Sequence, residues 1–170
     1  MPAGRFDIQM TNRTSVPLNE TFIRKIVCAI LAALAFERAA LSVLFVSDRR
    51  IRSLNRRYLN HDRPTDVMAF SQLEGRLCRR HDESVPFLGD IVISTETAAR
   101  QAREYGNGFL YELSLYLCHG ILHLLGWDDS TPAAGARMGR KQQRILKTIG
   151  ISDPGIQRTL WPSRKPKRSS

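Results

Sequence analysis

From Gly108 to Leu125 the chain places Leu110, Leu113, Leu117, Ile121 and Leu124 at helical spacing, which predicts one long helix with those residues turned inward. Gly126 is suited to stopping it, because glycine takes the left-handed conformation that ends a helix at little cost. Within this helix His119 and His123 lie four residues apart, so their imidazoles share a face. A helix this apolar needs neighbours on more than one side, and the rest of the chain supplies them.

Phe6, Ile8 and Met10 alternate with polar residues and predict a first strand. Asn19 offers an N-cap for a helix that runs to about Arg38, apolar almost all round from Ile26 to Phe36. The run 41–46 reads as a buried strand. Ser47 or Asp48 caps a second helix to about Asn60. Its stripe is Ile51, Leu54 and Tyr58, and its other face carries Arg49, Arg50, Arg52, Arg56 and Arg57. A turn at 62–65 leads to a third strand at 66–70, a polar loop at 71–86 that includes His81, and a fourth strand at 87–94. A helix from Thr95 ends before Gly106, and a last helix spans about 133–148. This order predicts an α+β fold: a single domain over residues 1–150, with a small four-stranded mixed sheet covered by helices and the histidines on a helix of the C-terminal half.

The 170 residues suit one domain. Lys and Arg number 26 against 16 Asp and Glu, a net charge of +10, which favours a polyanionic partner. Half of that excess falls in residues 156–170, where Arg158, Arg164, Lys165, Lys167 and Arg168 stand without an acid. Residues 151–170 are therefore expected to be a basic, disordered tail, in which Trp161 could stack on bases. Three cysteines without a C-x-x-C pair argue against a disulfide framework and a cysteine zinc finger. The longest apolar run, 26–36, is half the length of about 20 residues that a membrane span needs. With no apolar leader visible at the start, a cytoplasmic protein is expected.

Beyond Gly126 the chain can fold back and return Asp128 and Asp129 toward the histidines. Two imidazoles and a carboxylate, with a fourth position for water, form a catalytic zinc arrangement. The same pair would also suit histidines that are merely hydrogen-bonded in a core. H-x-x-x-H spacing occurs in zinc proteases, but the Glu that serves them as base is here Gly120, which argues against peptide hydrolysis by that route. Asp66 and Asp90 read as structural carboxylates bonded to backbone N–H groups. Cys118 reads as a core thiol, and His61 and His81 as solvated loop residues.

The segment from His119 to Asp129, H-G-I-L-H-L-L-G-W-D-D, is similar to the H-G-x-L-H-L-x-G-Y-D-H signature of the YbeY family, bacterial endoribonucleases implicated in rRNA maturation and ribosome quality control. Leu54, Asn55 and Tyr58, followed by Asp62 to Ser71, resemble a second motif of that family. Gly89 to Ser94 resembles a third. The resemblance covers about residues 5–150. It implies an α+β domain with a four-stranded mixed sheet and one Zn2+ per chain, held by three histidines in the family. Here that implies His119, His123 and, in the place of the third histidine, Asp129. The arginine that follows the tyrosine of the second motif is Leu59 in this chain.

The resemblance implies a zinc-dependent, single-strand-specific endoribonuclease in 16S rRNA 3′-end maturation and ribosome quality control. Its partners would be rRNA and the small ribosomal subunit, with no membrane. Arg56 and Arg57 of the arginine face are the candidate phosphate contacts. The alternative is a non-catalytic ribosome- or RNA-binding protein with a structural metal, a reading that Leu59 keeps alive.

Overall fold

In a computed structural model of the protein, residues 5–73 and 85–151 are described. Most of the polar loop with His81, and all but the first residue of the basic tail, lie outside them. The alternating and β-branched runs form β1 (Arg5–Asn12), β2 (Arg38–Val46), β3 (Val67–Ser71) and β4 (Phe87–Ser94). They make one mixed sheet in the order β1-β2-β4-β3. β1 and β4 flank β2 in parallel, and β3 is an antiparallel edge on β4.

The helices are α1 (Glu20–Ala33), α2 (Asp48–Leu59), α3 (Thr95–Tyr105), α4 (Phe109–Leu124) and α5 (Pro132–Thr148). Asn19, Ser47, Ser94 and Thr131 cap α1, α2, α3 and α5, each accepting a backbone N–H of the first turn. α1 stops well short of Arg38. Leu34 is its C-cap, and Ala35 takes φ +63 while Phe36 N–H returns to Leu31 O at 3.0 Å. A glycine normally marks such an ending, and alanine in the left-handed region leaves no sign in the sequence.

The sheet has two unlike faces. On one, Leu41, Val43, Phe45, Ile91 and Ile93 join α1, α4 and α5 in the main core. On the other, α2 lays Ile51 and Leu54 over Val46, Met68 and Val92. α4 is central: every residue from Glu112 to Leu122 is buried. Leu110 departs from its expected inward place and is 41% exposed, because it lies in the first turn, before the helix enters the core. Gly120 allows the close approach of α4 to the sheet. A Cβ there would stand 2.8 Å from Ile91 Cγ2 and 3.3 Å from Val67 Cγ2.

Candidate metal centre

α4 sets His119 and His123 one turn apart on one side. The helix then closes in a Schellman arrangement. Gly126 takes φ +89, its N–H donates to His123 O at 3.0 Å, and Trp127 N–H donates to Leu122 O at 3.0 Å. The chain is thereby turned back over the histidines. Asp128 Oδ1 accepts Ser130 N–H at 2.9 Å and its Oδ2 accepts Ser130 Oγ–H at 2.5 Å, so this carboxylate holds the turn. Asp129 is the one aimed at the imidazoles. Its Oδ2 lies 3.5 Å from His119 Nε2 and 3.6 Å from His123 Nε2, and the two Nε2 atoms are 3.0 Å apart.

These three donors form a nearly equilateral triangle. A tetrahedral zinc ion with bonds of about 2.0–2.2 Å spaces its donors about 3.3–3.6 Å apart. The two sides to Asp129 Oδ2 match that span and the Nε2–Nε2 side, at 3.0 Å, is a few tenths of an ångström short of it, so the group could hold one metal ion after a small spreading of the imidazoles. The remaining ring nitrogens agree with that use. Gln142, buried on α5, accepts at Oε1 from His119 Nδ1 at 3.1 Å, which puts the ring proton on Nδ1 and leaves the Nε2 lone pair toward the triangle. His123 hydrogen-bonds to the backbone of Trp127. His119 and His123 are buried and half-buried, while 37% of the Asp129 side chain is exposed, so the triangle opens to solvent on its Asp129 side.

Electrostatics divide the two histidines. Burial, with His123 beside it, pushes the His119 pKa down, against the pull of Asp66 and Asp129. His123 is also partly desolvated, but the hydrogen bond and charge of Asp129 hold its pKa above the ordinary value. The same contact from His123, opposed by burial, holds Asp129 below the usual carboxylate range.

Gly120, between the two histidines, faces the sheet, so the carboxylate that zinc proteases carry at that position has no room here. Cys118 is fully buried and its thiol is pushed up to about 12, chiefly by burial, as befits a core thiol. Asp90 accepts Ser42 Oγ–H within the sheet. Asp66 Oδ1 accepts the N–H of Val67 at 2.9 Å, but its charge also reaches His119. His61 is exposed. Arg56 and Arg57 lie exposed on α2, in the layer opposite α4, with the Arg57 guanidinium over the Tyr58 ring. The segment after α2 leads through Asp66, whose charge reaches His119, into the edge strand β3.

Gln142 lies outside every motif that marks the histidines. The signal was there: it is a polar residue in the inward stripe of Ala134, Met138 and Ile145. A cavity of about 360 Å³ beside the turn, lined by Leu125, Gly126, Trp127, Asp128, Ala134 and Arg137, had no sequence signature.

The model of the family described as Endoribonuclease YbeY matches residues 7–150. Endoribonuclease YbeY of Anaeromyxobacter sp. is 44% identical over 129 residues, 76% of this chain, which spans only 64% of that relative's length. Its counterpart in Symbiobacterium thermophilum is 47% identical over 114 residues, 66% of this chain and 73% of the relative. That of Geobacillus thermodenitrificans is 39% identical over 148 residues, 85% of this chain and 95% of the relative. Among solved structures, the solution structure of TM1509 from Thermotoga maritima matches with a TM-score of 0.57 at 25% identity, over 88% of this chain and 99% of that one. With the family model spanning both faces of the sheet and the whole metal triangle, this chain belongs to the endoribonuclease YbeY family.

Proposed function

We propose that the protein is a zinc-dependent endoribonuclease that cuts single-stranded RNA, with His119, His123 and Asp129 as the metal ligands. The observation that carries this reading is the triangle of three donors 3.0–3.6 Å apart, in a chain of an endoribonuclease family. Zinc held there would supply Lewis-acid chemistry and make a water acidic enough to act near neutral pH. Gln142 and the Trp127 backbone orient the two imidazoles, so the site keeps its geometry while substrate comes and goes. Asp129, on the solvent side, leaves room for a phosphodiester to approach. Arg56 and Arg57 contact flanking phosphates from the α2 side, and the basic residues 151–170 add sequence-independent attraction. The substrate is rRNA at the 3′ end of 16S rRNA, met on the small ribosomal subunit in the cytoplasm, in maturation and quality control.

Leu59 favours a second reading. It is 53% exposed at the end of α2, where the family motif has an arginine, so one cation for the phosphate is gone. The protein would then bind ribosomal RNA around a structural zinc without cutting it. Metal analysis followed by cleavage of structured rRNA, with and without chelator, separates the two. Chelator-sensitive cuts in single-stranded segments support the nuclease. Stoichiometric zinc with intact RNA supports the binding protein.

A further inference from the structure

α5 has a composition of its own. Its 17 residues include Arg137, Arg140, Lys141, Arg144 and Lys147 and no acid. Arg137, Arg140, Arg144 and Lys147 follow one another by three, four and three residues, so they make one stripe along the helix. All four are exposed, on the side opposite the buried stripe of Ala134, Met138, Gln142 and Ile145. The stripe runs about 15 Å, at 1.5 Å per residue. Among the described residues, the bridges of Arg or Lys to carboxylates are Arg52–Asp62 and Arg100–Asp48, and neither touches it. Four cations in a row without acids repel one another, an arrangement that gains most from a polyanion laid along it.

Where the stripe ends is informative. Arg137, its first member, lines the cavity of about 360 Å³ that also takes in half-buried Trp127 and the Asp128 turn. The next residue, Asp129, belongs to the metal triangle. A line of charge leading to a recess that has Trp127 in its lining, beside the candidate reaction centre, matches the backbone and one base of a single strand. An anionic membrane would meet the charge but has no use for the recess.

We infer that the outer face of α5 is a track for single-stranded RNA: Arg140, Arg144 and Lys147 hold successive phosphates, and Arg137 and Trp127 receive the nucleotide next to the metal centre. This rests on RNA being the substrate and adds the path the strand takes. It places the main contact on α5 in addition to the arginines of α2.

The test uses full-length, zinc-loaded protein and a fluorescent, nuclease-resistant 2′-O-methyl oligonucleotide, with affinity measured across a salt series. In one variant Arg137, Arg140, Arg144 and Lys147 are all changed to Gln. In a control of equal charge, the exposed Arg5, Arg13, Lys25 and Arg38 are changed to Gln. Single-stranded binding falls with salt by about 0.7 log units per phosphate contact, so the α5 variant should flatten the slope by about 2–3, with zinc content and melting temperature kept. The control should change it by less than about one contact's worth. An unchanged slope in the α5 variant, or an equal loss in the control, overturns the track. Retention of the native protein by phosphatidylserine vesicles, abolished in the α5 variant while oligonucleotide binding is not, also overturns it and gives the stripe to a membrane. Native protein that binds through α5 but leaves unmodified RNA uncut removes the nuclease reading and leaves the track standing.

Discussion

The two faces of the sheet are built to different standards. On the α4 face, Leu41, Val43, Phe45, Ile91 and Ile93 are at most 1% exposed and meet a helix buried along most of its length. On the α2 face four buried residues, Val46, Ile51, Met68 and Val92, hold one amphipathic helix whose outer surface carries five exposed arginines. The metal triangle sits on the denser side, since three donors must hold their spacing to a few tenths of an ångström for a metal to choose them. The sparser side carries charge, which needs exposure and tolerates movement. The three candidate donors thus lie on the least yielding layer, and the exposed cations lie on the outer surfaces of α2 and α5.

The sharpest way to break the contrast is Gly120. A Cβ there falls 2.8 Å from Ile91 Cγ2 and 3.2 Å from Ile91 Cδ1, and Ile91 is fully buried. Gly120→Ala should cost about 1–3 kcal/mol, the range for overpacked cores, and Gly120→Glu should leave no folded protein. Ile51→Val on the α2 face should cost only about 0.5–1.5 kcal/mol. Thermal or urea melts measure all three. Equal losses for Gly120→Ala and Ile51→Val would mean that the faces do not differ in tolerance.

The next effect concerns the carboxylates of the turn. Asp129 Oδ2 completes the triangle, while Asp128 is occupied with Ser130. Asp129→Ala should weaken zinc binding about 100-fold or more, and Asp128→Ala about tenfold at most, through the loosened turn. Competition titrations with a chromophoric chelator read both. The reverse order would make Asp128 the ligand.

Much of this was legible in the sequence, and what was hidden has physical reasons. The strands announced themselves by alternation and β-branching, and the caps Asn19 and Ser47 by residue type. The histidine pair with Gly126 showed through helical spacing and a glycine where φ +89 is needed. The insertion of β4 between β2 and β3 is a long-range pairing that no local pattern encodes. Ala35 ends α1 in a conformation rarely given to alanine. Gln142 reaches His119 from 23 positions away, so only its misfit in an apolar stripe could have marked it. Leu110 kept the helical period but lies ahead of the buried turns.

A smaller effect lies where α2 meets α3. The Asp48 carboxylate accepts Ser94 Oγ–H at 2.5 Å, Thr97 Oγ1–H at 2.6 Å and Arg100 Nη1–H at 2.9 Å. Burial opposes ionisation, but these donors and the Arg100 charge hold the Asp48 pKa below the usual carboxylate range. A pKa lowered by folding stabilises the native state above the unfolded-state value of about 3.9, and that contribution fades as pH falls through the folded value. Asp48→Asn should therefore cost about 1 kcal/mol near pH 7, kept small by solvent screening, and should flatten the loss of stability below about pH 4. An acid limb as steep as that of the parent would show that the network contributes nothing.

The smallest effect is an expected lack of reaction. Cys118 lies next to a candidate metal ligand in sequence, yet it is fully buried within α4 and its thiol is raised to about 12. Cys28 on α1 is half-buried; burial raises its thiol as well, with Arg24 working against burial. Thiolate is the reactive form, so iodoacetamide at about pH 8 should label Cys28 slowly and Cys118 not at all while the protein is folded. Peptide mass spectrometry distinguishes the two sites. Labelling of Cys118 at a rate comparable to Cys28 would mean that α4 opens as readily as an outer helix. A helix that opened so freely could not keep His119 and His123 in register for a metal, and the contrast between the two faces of the sheet would fail at its most buried point.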